Sequence, residues 1–278
     1  MPTVSVKSGL LSSSVDINYE TTGTGRPVVL IHGWPLSGAA WQDNVPALEQ
    51  ADYQVVTYDR RGFGDSEKPS KGYDYDQLSD DLAGLLDELD LRDVTLVGFS
   101  MGGGEVARYI ARHGQDRLRS VVFAAAIPPY MMKTDDNPDG PLEPGAAEQM
   151  AKGLESDRDG FFNEFTTGFF SAGDELKVAE QQRQNAVALC RQSDQTAALG
   201  CMESFGGTDF RDDLAKVSVP TLVIHGDSDG IVPFEGSGRR THAAITGSEL
   251  VVVEGAPHGL NVSHRDEFDR ALLAFLAR

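Results

Sequence analysis

Apolar positions along the chain fall into two alternating patterns. Short continuous runs recur at Val28–Ile31, Val55–Tyr58, Val94–Phe99, Leu118–Ala124, Val219–Ile224 and Leu250–Val253. Runs of this length, with no polar residue at every second position, predict strands buried on both faces. Between them lie stretches of helical character, the clearest being Tyr75 to Leu91, where Leu78, Leu82, Leu85, Leu86 and Leu89 share one face. Helices are also predicted over about 37–50, 101–113, 234–245 and 263–278. Val4-Ser5-Val6 and Val15-Asp16-Ile17-Asn18-Tyr19 alternate instead, as an antiparallel edge hairpin does. Strands and helices in alternation predict an α/β protein: a mostly parallel sheet with helices on both faces.

The pattern breaks after Ile127. Lys133 to Gly145 is rich in Asp, Pro and Gly and reads as a loop, and Ala146 to Gly207 is helical with no clear strand. We expect a helical cap, residues 128–211, inserted in a core made of 1–127 and 212–278. Phe161, Phe162, Phe165, Phe169 and Phe170 cluster in it. Most are expected to be the core of that layer, with one or two roofing an apolar pocket.

Composition narrows the field. At 278 residues the chain suits one large domain with an insertion. A net charge of −19 speaks against nucleic-acid or anionic-membrane binding, which need basic patches. The start of the chain has no basic-then-apolar leader pattern, and no apolar run reaches bilayer length. A cytoplasmic location is expected, and a homo-oligomer is compatible with the sequence. Cys190 and Cys201 are eleven apart. On one continuous helix they would stand roughly 16 Å apart, too far to bridge. Both read as packing residues. Neither metal-ligand spacing nor a phosphate loop is present, and the arginines of Asp59-Arg60-Arg61-Gly62-Phe63-Gly64 are expected to pair with acidic neighbours.

The candidate chemistry begins at Gly98-Phe99-Ser100-Met101-Gly102, between a predicted strand and a predicted helix. This is the context a nucleophile elbow needs. A one-residue turn forces Ser100 into a strained conformation and leaves no room for side chains at −2 and +2. It presents the hydroxyl at the sheet's carboxyl edge and at a helix N-terminus. The serine then needs a base and an orienting carboxylate, each from a strand-end loop. His258, on a Gly-Pro-rich loop after the last strand, is chosen over His225, which directly ends its strand and is expected to pack. His113, His242 and His264 read as helix-surface residues. Asp229 is chosen over Asp227, which lies in the Gly226 turn and is expected to cap its own backbone. The backbone N–H groups of Trp34 and Met101 are the candidate oxyanion donors. Phe99, Ile231, Phe234 and Leu260 are expected to line the substrate pocket.

The chain resembles the α/β-hydrolases, and within them the cofactor-free bacterial chloroperoxidase and aryl-esterase branch. The resemblance rests on Ile31-His32-Gly33-Trp34-Pro35-Leu36-Ser37, Tyr58-Asp59-Arg60-Arg61-Gly62-Phe63-Gly64, Val97 to Tyr109 around Ser100, and Thr208-Asp209-Phe210-Arg211. It continues in His225-Gly226-Asp227-x-Asp229-x-Ile231-Val232-Pro233 and Gly255-Ala256-Pro257-His258-Gly259, and is weakest over about 130–205. It implies Ser100, Asp229 and His258 as triad, Trp34 and Met101 as oxyanion hole, and no cofactor. The activity it implies is hydrolysis of small esters, with acyl transfer to hydrogen peroxide in some members; the resulting peracid oxidises halide. Pro35 after the oxyanion Trp34 resembles the perhydrolytic members. Lactam opening or C–C bond hydrolysis by the same triad, or a non-catalytic ligand receptor on the same fold, are the alternatives. Dehalogenase and epoxide hydrolase chemistry needs an aspartate where Ser100 stands.

Overall fold

In the computed structural model, which describes residues 2–7 and 14–278, the apolar runs become strands of one sheet, all interior except the last. Leu250–Val253, expected to be buried on both faces, forms an edge strand with Val252 43 % exposed, because no described strand pairs with its outer side. The first half of the chain forms β1 (Thr3–Lys7), β2 (Ser14–Thr22), β3 (Arg26–Ile31), a 3-10 turn (Gly38–Trp41), α1 (Val45–Gln50), β4 (Tyr53–Tyr58), α2 (Tyr75–Glu88), β5 (Val94–Phe99), α3 (Met101–His113) and β6 (Leu118–Ala124). Then come α4 (Pro144–Ser156), α5 (Arg158–Phe170), β7 (Ser171–Ala172), β8 (Glu175–Leu176), α6 (Glu180–Gln192), α7 (Gln195–Gly207) and α8 (Arg211–Leu214). The chain closes with β9 (Thr221–Gly226), a 3-10 turn (Phe234–Gly236), α9 (Gly238–Ala244), β10 (Glu249–Val253), α10 (Leu260–Ser263) and α11 (Arg265–Leu276).

The sheet has eight strands in the order β1-β2-β4-β3-β5-β6-β9-β10. The alternating β1 and β2 pair antiparallel at one edge, and β2 runs antiparallel to β4. The remaining neighbours are parallel. Every residue of β5 and β9 is buried, as unbroken apolar runs demand. Register decides what this does for function. Ile31 pairs with Gly98, Phe99 with Ala124, Ala124 with Ile224, and Gly226 with Val253. The carboxyl ends of β3, β5, β6, β9 and β10 are therefore level, and the loops that leave them share one rim.

Three predicted helices are interrupted, each for a local reason. The stretch 37–50 splits into a 3-10 turn and α1, where Pro46 lies at the helix start. A proline ring there would strike the carbonyl four residues back in a continuous helix. The stretch 234–245 breaks at Ser237, whose hydroxyl donates to the Pro233 carbonyl (2.7 Å). The stretch 263–278 begins earlier, as α10, and breaks at His264.

Helices α4 to α7 follow one another between β6 and the return to the sheet at β9. The inserted region is not wholly helical: β7 and β8 form a small antiparallel hairpin turned at Gly173, whose φ is +57°. Cys190 and Cys201 lie on separate helices, α6 and α7, rather than on one. Both thiols are free and buried, and burial pushes each up to about 12. No helix among the described residues is long and apolar enough to cross a membrane.

Candidate active site

Ser100 joins β5 to α3 with φ 54° and ψ −120°, a conformation L-residues avoid. The surroundings over-determine it. Its N–H donates to the Ala124 carbonyl (2.9 Å), and its own carbonyl accepts from Gly103 N–H (3.0 Å) and Ile127 N–H (3.3 Å). A Cβ on Gly98 would stand 2.5 Å from the Gly102 carbonyl oxygen, and one on Gly102 would stand 2.7 Å from that of Ile31. Both positions therefore exclude a side chain.

The other two triad candidates meet Ser100 at this rim. His258 Nε2 lies 2.9 Å from Ser100 Oγ, and His258 Nδ1 lies 2.7 Å from Asp229 Oδ2. The carboxylate can only accept from Nδ1, so Nε2 is the free base facing the hydroxyl. Ser100, Asp229 and His258 are 6 %, 5 % and 1 % exposed, so water barely screens these contacts. Asp229 Oδ1 accepts from the N–H groups of Ile231 (2.9 Å) and Val232 (2.8 Å). Burial by itself would raise the Asp229 carboxyl. The neighbouring imidazoles, His258 first and then His225, outweigh it and hold the carboxyl well below the usual range.

His225 packs, as expected: it is fully buried against the Phe234 ring (5.7 Å between centroids), with Nε2 2.8 Å from the Val232 carbonyl. Asp227 does not cap its own turn. Its Oδ1 accepts from Gly255 N–H (2.7 Å), which ties the loop after β9 to the loop after β10. His113, His242 and His264 bond to Asp80, Ser248 and Ser263 respectively.

On the oxyanion side, the backbone at Gly33 lies against the nucleophile: a Cβ there would be 3.1 Å from Ser100 Cβ. Trp34 follows directly, and the Trp34–Pro35 peptide is cis. The Trp34 side chain turns into the cap. Its indole N–H donates to the Ala198 carbonyl (2.9 Å), and its ring is edge-on to Phe161, Phe162, Phe165 and Phe205. The Trp34 main chain thus belongs to the site while its indole anchors the cap.

A cavity of about 60 Å³ opens on Ser100. Trp34, Ile127, Ile231 and Val232 line it from the core, and Met150, Phe165 and Phe205 from the cap. Of the four residues expected to line a substrate pocket, Ile231 does. Phe99 lies behind the triad instead, its ring 5.1 Å from that of His258 and 6.0 Å from that of Trp41. Side chains alternate along a strand, so the residue before Ser100 faces away from it. There Phe99 lines a second apolar cavity, of about 50 Å³, with His32, Trp41 and Phe169. Phe234 packs on His225, and Leu260, fully buried at the start of α10, belongs to the core.

The sequence profile of the α/β-hydrolase fold matches residues 26–264. The chain belongs to the α/β-hydrolase family. It is 45 % identical over 280 residues to a non-heme chloroperoxidase of Kitasatospora aureofaciens, covering 99 % of each chain. It is 34 % identical over 266 residues to a bifunctional esterase/perhydrolase of Acinetobacter calcoaceticus, covering 94 % of this chain and 96 % of that one. The crystal structure of a bromoperoxidase from Bacillus anthracis superposes with a TM-score of 0.96 at 51 % identity, covering 100 % of both chains.

Beneath the elbow of this α/β-hydrolase runs a buried polar network whose reach the sequence did not reveal. The His32 Nδ1–H donates to the Gly33 carbonyl (2.9 Å), and its Nε2 accepts from Arg60 N–H (3.0 Å). Burial, then the Arg60 charge, lowers the His32 pKa well below its usual value, so the ring is neutral. The Arg60 guanidinium donates to the His32 carbonyl (2.7 Å) and pairs with Glu105 of α3, which also accepts from the Tyr58 hydroxyl (2.8 Å). Arg61 pairs with Asp81, so both arginines of that turn meet acids. The signal for Glu105 was a charged residue on the buried side of α3, one turn beyond Ser100. Of the cap lining, Phe165 comes from the aromatic cluster in which one or two rings were expected to roof a pocket; Met150 and Phe205 carried no signal, because they come from two other helices.

Proposed function

We propose that this α/β-hydrolase cleaves small, apolar carboxylic esters through an acyl-enzyme on Ser100, and that hydrogen peroxide can replace water in the second half-reaction. The observation that carries the reading is the ordered contact of Ser100, His258 and Asp229, buried at the mouth of an apolar cavity.

His258 Nε2 takes the Ser100 proton as Oγ attacks the ester carbonyl. The Trp34 and Met101 N–H groups receive the oxyanion, and removal of one such donor typically costs about 10²–10³ in rate. Collapse expels the alcohol, which takes the proton from His258. Water then attacks the acyl-enzyme with His258 again as base, and the acid leaves. With hydrogen peroxide as the second nucleophile the product is a peracid, and a peracid oxidises halide to hypohalous acid while returning the carboxylic acid. The chloroperoxidase, bromoperoxidase and esterase/perhydrolase relatives support this second outcome.

The cavity sets the acyl size. One water needs roughly 10–15 Å³ of such space, so about 60 Å³ suits an acyl chain of a few carbons. The test is hydrolysis of p-nitrophenyl acetate, butyrate and octanoate, then bromination of a dye with acetate ester, hydrogen peroxide and bromide. We expect turnover of the short esters and peroxide-dependent bromination, both lost in Ser100→Ala. Retained activity in that variant overturns the reading.

A further inference from the structure

Asp229 has two imidazoles on the same oxygen. Oδ2 is 2.7 Å from His258 Nδ1 and 3.2 Å from His225 Nε2. We propose that His225 is a positioning residue of this site: its Nε2–H holds the Asp229 oxygen that orients His258. The proposal rests on the triad reading above and adds a fourth member to it.

The protonation state of His225 follows from its surroundings. Nε2 faces two acceptors, the Val232 carbonyl at 2.8 Å and Asp229 Oδ2. Nδ1 is buried with no hydrogen-bond partner. A proton on Nδ1 would be an unsatisfied buried donor, so the ring is the neutral Nε2–H tautomer. That tautomer gives the carboxylate a donor without a second positive charge. Asp229 is then held at Oδ1 by the Ile231 and Val232 N–H groups and at Oδ2 by His258 Nδ1–H (2.7 Å), with the His225 Nε2–H, whose shorter contact is the Val232 carbonyl, as a longer second arm at 3.2 Å. A carboxylate oxygen has two lone pairs, so Oδ2 has one to offer His225 beside the one His258 uses. Gly238 leaves the space the ring needs: a Cβ there would be 2.5 Å from His225 Nδ1.

Charged groups on the elements around β9 bond elsewhere. Glu235 pairs with Arg239, Arg240 donates to Asn137 and the Gly236 carbonyl, and His242 bonds to Ser248. Glu249 pairs with Arg278, Arg119 with Asp93, and Asp269 accepts from Asn44. Asp227, on the same loop, accepts from Gly255 and Ser228. Asp229 and His258 are thus the groups through which His225 acts.

The consequence has a sign. A donor on Oδ2 withdraws negative charge from the carboxylate that stabilises the His258 imidazolium. Without it the imidazolium is more stable, and the acid limb of kcat/KM moves to higher pH. At the same time His258 is less firmly oriented, so kcat falls while KM changes little.

The experiment compares His225→Asn with His225→Gln, with active sites titrated so that rates refer to folded enzyme. The Gln amide nitrogen occupies the place of Nε2; the Asn one stands where Nδ1 is. We expect kcat in the Asn variant to fall about 10-fold with the acid limb shifted up, and the Gln variant to recover both. Gly238→Ala, which displaces the ring without removing it, should act like Asn and carries the test if Asn does not fold. A wild-type kcat and pH profile in the Asn and Gly238→Ala variants, or a loss that Gln does not recover, overturns the proposal. Asp229→Asn separates the two readings. Full activity there defeats the triad itself, whereas an inactive Asp229→Asn beside unaffected His225 variants defeats only the role of His225.

Discussion

Gly259 N–H donates to the Phe169 carbonyl at 2.8 Å, so the loop carrying His258 hangs from the last turn of cap helix α5. Phe169 also places its ring edge-on to the His258 imidazole, 5.0 Å between centroids. The cap thus touches both the His258 ring and the loop that carries it. A Cβ on Gly259 would come within 2.6 Å of both the Phe169 and Phe170 rings. Gly259→Ala should therefore destabilise the protein by about 1–3 kcal/mol, the usual cost of overpacking a buried site. It should also lower kcat more than it raises KM. Urea unfolding and steady-state kinetics on a short ester check both; unchanged values would detach the cap from the base.

The elbow holds Ser100 in a strained conformation. Ser100→Ala keeps the disfavoured φ of 54°, whereas Ser100→Gly relieves it. Both variants should lose about 10⁴–10⁶ in kcat. The glycine variant should be more stable than the alanine one by about 1 kcal/mol or more. Thermal unfolding of the two side by side measures the difference, and equal stabilities would mean the turn is unstrained.

Asp269 supplies a pH dependence away from the site. Burial pushes its carboxyl up to about 6, against the Asn44 hydrogen bond and the Arg265 charge and with help from Asp266 and Asp43. The folded protein holds this proton above the pH at which the unfolded chain releases it. Stability therefore falls as pH rises from about 4 to about 6. Asp269→Asn keeps the acceptor for Asn44 and removes the charge. It should raise stability at pH 7.5 by about 1 kcal/mol or less, the side chain being only half-buried, and leave it unchanged at pH 4. Melting curves at the two pH values decide it; a gain of equal size at both would point to packing. Asp229 works the other way. Its depressed carboxyl contributes stability above the pH at which the unfolded side chain ionises, and that contribution is lost only as pH falls through its lower folded value.

Phe165 closes the cap side of the cavity on Ser100 and touches the Trp34 ring (5.2 Å between centroids). Phe165→Ala should lengthen the preferred acyl chain. A methylene in an apolar pocket is worth about 1–3 kcal/mol, so the hexanoate-to-acetate ratio of kcat/KM should rise about 10-fold or more. An ester-chain series on wild type and variant reads this directly. An unchanged ratio would place the acyl group elsewhere.

How much of this was legible depended on distance along the chain. Glycines on either side of Ser100, between an apolar run and a helical stretch, state a local geometry, and the φ of 54° and the excluded Cβ positions are its direct result. Asp229 and His258 were legible because each stands on a loop leaving an apolar strand, and parallel strands deliver such loops to one rim. The helix breaks at Ser237 and His264 were not, because the apolar pattern runs through them. The lining of the cavity was misjudged for Phe99, Phe234 and Leu260, since closeness in sequence to Ser100, Asp229 and His258 says nothing about which side of the rim a side chain takes.

The chain by itself determined the alternation of strand and helix, the elbow, and the residue types that have to meet there, because backbone geometry and local polarity act over a few positions. Only the tertiary structure decided that His225 comes up to an oxygen of Asp229, that Glu105 reaches Arg60 beneath the loop after β3, and that Phe169 bonds to the loop of His258. Those contacts join residues 4, 45 and about 90 positions apart, and even the nearest pair is set by how a loop folds back under its own strand. Packing chooses among such partners, and it does so by shape and burial, which have no period in a sequence.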